Sequence, residues 1–348
     1  MLHTFSRWMF TCCVLIFVMV VIGGATRLTN SGLSIVEWKP IHGTIPPLNA
    51  AEWQEEFTKY QQYPEYQKIN KGMSLEEFKG IFWWEYIHRV WGRIIGMAFL
   101  LPLLWFAGVK KVPLRTLLPF VGLFGLVCFQ GFMGWYMVKS GLQDNPAVSH
   151  YRLTVHLLLA LTLFSCCYLL GLKYAAQEKT LRVSNFLTRY TGVFCVLLFL
   201  TITMGGMVAG SDAGLIYNTF PLMEGHIMPL EAFHLQPWWV NLGENPATKQ
   251  FVHRMLAYTT FFAGLGLVYA VWRRVPQGDA ARRASLILLG LLCCQIGLGV
   301  ATLLYHVPVV LGVLHQANAV LVLTAALHLR ASLKTSFLGR LAASEKNS

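Results

Sequence analysis

Apolar residues run in eight long blocks along the chain, at about 8–26, 81–108, 117–138, 152–172, 190–210, 250–272, 284–305 and 309–329. An α-helix rises 1.5 Å per residue, so roughly 20 apolar residues cross the hydrocarbon core of a bilayer. Every block is of that order, and the pattern predicts eight membrane-spanning helices. The first block exceeds the roughly 7–15 apolar residues of a signal-peptide core, so it reads as a span of the mature chain. Two of the intervening polar segments are long, 27–80 and 211–249. In the first, Asn49 with Glu52 and Ser74 with Glu77 have the spacing of capping boxes, and Trp53, Phe57 and Tyr60 recur at helical spacing. Short helices lying on the outer membrane surface are expected there. In the second, Trp238 and Trp239 after Pro237 have the character of interfacial anchors.

Composition agrees with the pattern: 55% of residues are hydrophobic and 13% charged, against about 25% charged in a soluble domain. A water-soluble enzyme is excluded. The formal charge of +12 would suggest nucleic acid in a soluble chain. Its distribution gives a different meaning. The amino terminus, segments 109–116, 173–189 and 273–283, and the tail from Arg330 hold 16 of the 28 basic residues, with Glu178, Asp279 and Glu345 as their acids. The intervening segments carry 12 acids and eight bases. By the positive-inside rule the first set is cytoplasmic, both termini included, and no nucleic-acid partner is expected. Met1 leads almost directly into the first span without an Arg- and Ser-rich transit peptide, so a bacterial cytoplasmic (inner) membrane is expected rather than a mitochondrial one. All eight cysteines lie within apolar blocks, which leaves no loop disulfide and no CxxC motif.

The chain repeats itself. Gly23-Gly24 through Gly32-Leu33, at the end of span one, aligns without gaps on Gly205-Gly206 through Gly214-Leu215 at the end of span five. Ile87-His88-Arg89 then matches Val252-His253-Arg254, Gln130 matches Gln295, and His156 matches His315, at offsets of 182, 165, 165 and 159 residues. The fold class expected is therefore all-α integral membrane, with eight spans arranged as two pseudo-symmetric four-helix bundles. The halves are 1–173 and 190–330. An even number of spans per half makes the repeats parallel, related by an axis along the membrane normal.

The odd-numbered spans contain no histidine and no formal charge, whereas each even-numbered span carries a histidine near its outer end: His88, His156, His253 and His315. Counted inward at 1.5 Å per residue, all four lie about 6–10 Å deep. A single such imidazole is as well explained by a hydrogen bond to a neighbouring helix; four at matched places point to a shared function. No carboxylate or cysteine set completes a zinc site. Two histidines facing each other across an apolar bundle suit the axial positions of a haem. Arg89, Arg93, Arg152 and Arg254 lie near the outer boundary, where they either pair with haem propionates or snorkel to the interface. Glu85 stands three residues before His88, and Gln250 stands three before His253. A carboxyl beside one of two related pockets marks that pocket for chemistry, unless it serves only to pair Arg89 or Arg93.

Thr26-Arg27-Leu28-Thr29, Ser31-Gly32-Leu33-Ser34-Ile35-Val36-Glu37-Trp38-Lys39-Pro40, Trp84-Glu85-Tyr86-Ile87-His88-Arg89, Tyr217-Asn218-Thr219-Phe220-Pro221, Asn245-Pro246-Ala247-Thr248 and His253-Arg254-Met255 resemble the haem A synthase family over nearly the whole chain. The resemblance implies an eight-helix membrane oxidoreductase that converts a ring methyl of haem O to the formyl of haem A for haem-copper terminal oxidases. It implies a resident haem b on His253 and His315. It also implies a substrate haem O pocket framed by His88 and His156, and a catalytic part for Glu85; by their place near the outer boundary, Arg254 is the candidate beside the first site and Arg89 and Arg93 beside the second. The chain is similar to the form of the family without loop cysteine pairs. Haem O synthase, terminal-oxidase assembly factors and an electron acceptor follow as implied partners. The alternatives are a di-haem membrane electron-transfer cytochrome, or a transporter, binding module or haem carrier; the difference between Glu85 and Gln250 favours the enzyme over the cytochrome.

Overall fold

The computed structural model describes residues 1–37, 42–142, 148–176 and 186–346. Trp38, Lys39 and Pro40 of the first motif, and Glu178, Lys179 and Arg182 of the inner segment, lie outside the described residues. All eight expected spans form helices long and apolar enough to cross a membrane. They are α1 (Leu2–Leu28), α4 (Leu75–Leu104), α5 (Leu114–Gly141), α6 (His150–Ala175), α7 (Phe186–Gly210), α9 (Pro246–Arg274), α10 (Ala280–Leu304) and α11 (Val309–Lys346). Three short helices, α2 (Ala50–Gln61), α3 (Pro64–Lys68) and α8 (Val240–Glu244), lie between spans. Pro102 lies inside α4, where it supplies no backbone donor, and the helix passes into a π-helical turn at Trp105–Val109.

The caps follow the sequence. Ser74 accepts from the Glu77 backbone while Glu77 accepts from the Ser74 backbone, a complete capping box on α4. Asn49 accepts from the Glu52 amide at 3.0 Å, while Glu52 takes the Leu48 amide at 2.7 Å, so the second cap is shared between two residues. Asn245 caps α9 by accepting from Thr248, with Pro246 at the first helical position.

The structure falls into two compact units, Val14–Phe164 and Met1–Cys13 with Ser165–Ser348. In the second, α7 packs on α9 and α11 while α10 packs on the same two, so these four helices close a ring. In the first, the extended close approach of backbones runs between α4 and α5. Trp91 Nε1 ties α4 to the Leu15 carbonyl of α1 at 2.8 Å.

The helix expected over Trp53, Phe57 and Tyr60 is present as α2. Its apolar face packs on the outer extension of α4: Phe57, Tyr60, Phe78 and Phe82 form a buried cluster with Trp53 against it. Contact with the protein thus takes the surface that its periodicity suggested for lipid. Under this cluster Glu65 is buried, accepting from the Tyr60 hydroxyl at 2.9 Å, while Asn70 donates to the same hydroxyl at 2.8 Å. Burial pushes the Glu65 carboxyl up to about 7; the Tyr60 hydrogen bond opposes this and the Glu85 charge adds to it. The unfolded value is near 4.5, so between pH 4.5 and 7 the folded segment holds a proton that the unfolded one has released. Stability from neutral Glu65 is present below about 4.5 and is lost as pH rises to about 7. Glu65→Gln keeps the acceptor for Tyr60 and carries no charge. It should slow limited proteolysis of the 42–74 segment at pH 8 and flatten the pH dependence; a variant as pH-sensitive as the parent would refute this origin.

Candidate functional site

Each of the four histidines lies against a glycine of the preceding span. A Cβ on Gly23 of α1 would stand 3.1 Å from His88 Cε1, and one on Gly134 of α5 would stand 3.2 Å from His156 Cε1. In the other unit the distances are 3.0 Å from Gly205 of α7 to His253 and 2.9 Å from Gly299 of α10 to His315. Any larger residue would push the ring aside, so these glycines create the space in which the imidazoles lie. His88 lies near His156, and His315 near His253. The sequence pairing is therefore a spatial one.

Their polar partners differ. His253 Nδ1 faces the Thr201 carbonyl at 3.1 Å. A carbonyl only accepts, so Nδ1 carries the proton and Nε2 keeps its lone pair for a metal. Nδ1 of His88 and Nδ1 of His156 are buried without a hydrogen-bond partner. Among the described residues no group of three or more His, Cys, Asp or Glu could hold a metal ion by itself. Two imidazoles per unit, a glycine-lined recess and unpartnered ring nitrogens suit an iron that brings its own equatorial ligands, as in haem.

Glu85 is 3% exposed and lies on α4 one turn from Arg89. Its Oε1 pairs with Arg89 Nη2 at 2.6 Å, and its Oε2 accepts from Ser34 Oγ at 2.7 Å and the Ile35 amide at 2.8 Å. Arg89 also donates to the Ile35 and Glu37 carbonyls at 2.7 and 3.2 Å. The pair thereby latches the segment after α1 onto the outer part of α4. Gln250 and Arg254 form the counterpart on α9. Gln250 Nε2 donates to the Ala213 carbonyl at 3.0 Å, and Arg254 donates to the carbonyls of Tyr217 and Thr219 at 2.7 and 2.9 Å and to Gln250 Oε1 at 3.2 Å. The loop after α1 presents donors to a carboxylate; the loop after α7 presents acceptors to an amide. Arg93 follows Arg89 by one turn on α4, and Arg152 stacks 4.4 Å from the centre of the Tyr136 ring.

The structure adds groups to which the sequence reading gave no part in the site. Gln130 of α5 donates to the His156 carbonyl at 2.9 Å, and Gln295 of α10 donates to the His315 carbonyl at 3.2 Å. Their signal was visible, since each is a glutamine within an otherwise apolar odd-numbered span. Asn318 and Thr201 had no such signal. A direct test of the glycine recess is Gly299→Ala. Overpacking of this kind costs about 1–3 kcal/mol, and the displaced His315 ring should lower the haem-to-protein ratio of the purified protein. Unchanged haem content would show that the ring has room to spare.

Residues 6–327 match the family model described as cytochrome oxidase assembly protein. A haem A synthase of Nitrosospira multiformis is 50% identical over 326 residues, covering 92% of this chain and 90% of the relative. Those of Agrobacterium fabrum and Nitrosomonas eutropha are 49% and 44% identical, over 91% and 92% of this chain and 86% and 91% of their own. These relatives set aside the electron-transfer cytochrome and the carrier. With its eight spans and its paired histidines, the chain belongs to the haem A synthase family of membrane oxidoreductases.

Proposed function

We propose that the two halves divide the work: the carboxy-terminal half holds a resident haem b between His253 and His315, and the amino-terminal half binds haem O between His88 and His156. The observation that carries this division is the difference in ring anchoring. His253 is anchored by Thr201, whereas the Nδ1 atoms of His88 and His156 have no partner. A cofactor that stays benefits from ligands already oriented; a substrate that must leave as product does not. The sequence repeat supports two pseudo-symmetric bundles, with helices α7, α9, α10 and α11 closed around the resident site.

Conversion of the methyl to a formyl with water as oxygen source releases four protons and four electrons (R–CH3 + H2O → R–CHO + 4 H⁺ + 4 e⁻). Haem b, when bound, supplies one-electron redox chemistry toward an acceptor. Glu85 is the proton-handling candidate, because it is the acid that stands within an apolar block, one turn from His88. At rest it is held by Arg89, Ser34 and Ile35, which fixes its carboxylate at the outer end of the substrate half. Arg89 and Arg254 spend their guanidinium groups on loop carbonyls, so propionate contacts from them would be made alongside those bonds; Arg93 is the further candidate in the substrate half. No loop thiol is available, and the reading uses none.

The bacterial relatives favour a bacterial inner membrane, and the charge pattern supports an orientation with both termini in the cytoplasm. A reporter active only outside the cytoplasm should work when fused near Glu56 or Glu231 and stay silent after Lys111, Lys179 or Arg274. Activity at Arg274 would overturn this orientation. The division of labour itself is tested by expressing the protein with a supply of haem O, extracting the haems and identifying the formyl product by mass in the histidine variants.

A further inference from the structure

The end of the α7, α9, α10 and α11 bundle remote from the histidines holds a cation that packing does not require. Arg330 stands on α11 fifteen residues after His315, about 22 Å along the helix at 1.5 Å per residue, and close to the end of the apolar span Val309–Lys334. Its guanidinium lies over Gly192 of α7, where a Cβ would stand 3.5 Å from Nη2 and 3.6 Å from Cζ. Arg330 Nε is buried without a hydrogen-bond partner, and among the described residues no carboxylate pairs with the side chain.

The sequence repeat supplies the comparison. At the offsets of 182 and 159 residues, Phe10 of α1 corresponds to Gly192, and Gly171 of α6 corresponds to Arg330. Cys13-Val14-Leu15 matches Cys195-Val196-Leu197, so the register holds along α1 and α7. At the α1–α6 crossing the Phe10 ring lies over Gly171, 3.0 Å from where its Cβ would be, and meets Tyr168 edge-on with centroids 5.7 Å apart. Both crossings set a large side chain on a glycine, and an uncharged ring suffices for one of them. A charge at the other adds a cost that packing does not repay, and an anion would offset it.

The surroundings fit an anion with an apolar body. Arg189 stands one turn before Gly192 on α7, Lys334 one turn after Arg330 on α11, and Arg274 of α9 stacks 4.4 Å from the centre of the Phe186 ring at the start of α7. Asp279, the acid of this end whose side chain is described, caps α10 by accepting from the Ala281 amide at 2.8 Å. Beyond Arg189, Val193, Val196 and Leu200 follow at helical spacing, all exposed, so a cationic end leads into an apolar stripe along the same side of α7.

We propose that Arg330 and Gly192 form a site for the phosphate of an anionic phospholipid, with Arg189 and Lys334 at its rim and the acyl chains along Val193, Val196 and Leu200. The guanidinium is a planar fork that matches a phosphodiester, the glycine leaves room beside it, and basic pockets between spanning helices are where such headgroups bind. The site is independent of which half holds the resident haem.

Native mass spectrometry of the purified full-length protein, titrated with phosphatidylglycerol or with phosphatidylcholine of the same acyl chains, tests it. The parent should bind one phosphatidylglycerol about tenfold more tightly than phosphatidylcholine, and Arg330→Phe should weaken phosphatidylglycerol by about 10–100-fold, the range of a lost charge-assisted hydrogen bond. Arg330→Phe recreates the ring-on-glycine crossing of α1 and α6; should it not fold, Arg330→Gln takes its place with the same expectation. Arg330→Lys, which keeps the charge and loses the fork, should lie between. Arg283→Gln, at the same end on α10, removes one charge outside the site and should bind as the parent does. Parental binding in Arg330→Phe or Arg330→Gln would overturn the site, and equal weakening in Arg283→Gln would reduce it to diffuse attraction. Displacement of the lipid by an equal concentration of inorganic phosphate would overturn the lipid as its ligand.

Discussion

His253→Ala and His315→Ala should each strip the purified protein of most of its low-spin haem spectrum, while His88→Ala should keep that spectrum and make no haem A. The expectation follows from the anchoring of the rings. His253 has its proton fixed on Nδ1 by the Thr201 carbonyl, which leaves Nε2 ready to ligate. With either imidazole gone, a single histidine would have to hold the haem in that half, which should not retain it through purification. His88 lies in the other compact unit, Val14–Phe164, with Gly23 beneath it and no partner on Nδ1, so its removal should leave the resident site untouched. Haem content and product formation therefore separate in His88→Ala and fall together in the carboxy-terminal variants. An undiminished haem b spectrum in both carboxy-terminal variants would reverse the assignment of the halves.

The second large effect is expected at Glu85. Glu85→Gln should lower haem A formation by about 10²–10⁴-fold, the range usual for a general acid-base group, or stall it at an alcohol intermediate, with haem b retained and haem O still bound. The geometry adds a structural consequence. Ser34 and Ile35 both present donors to Glu85, and Arg89 presents a third, so the new amide nitrogen must face either the loop or the guanidinium. That mismatch, about 1–3 kcal/mol for an unmet polar group, should loosen the segment after α1. Gln250 does not meet this problem, because Ala213 and Tyr217 offer it carbonyls. Protease sensitivity of residues 29–37 measures the latch independently of activity. Glu85→Gln turning over at the parental rate would leave the carboxylate as a latch and remove it from the chemistry. A loss of activity that tracks loosening of the segment across further substitutions would assign the same role.

The eight spans and the pairing of the histidines along the chain were legible in the sequence, since each depends on local quantities. Twenty apolar residues make a span whatever surrounds them, charges sort loops to either side of a membrane, and a gap-free repeat carries its register with it. The capping residues Ser74 and Asn245 were equally local. Tertiary structure decided what those residues touch. Periodicity shows that Trp53, Phe57 and Tyr60 share a face, but an apolar face packs equally well on lipid or on Phe78 and Phe82, and only the fold chooses. Glu85 stands on the histidine's side of its helix by spacing alone; that its oxygens go to Arg89, Ser34 and Ile35 depends on a loop 50 residues away. Gln130 and Gln295 are the same residue at matched places, yet Gln295 Oε1 accepts from Asn318 of a neighbouring helix while Gln130 Oε1 is buried without a partner. Hydrogen bonds are short and directional, so their partners are set by the packing of helices, which no single helix's sequence specifies.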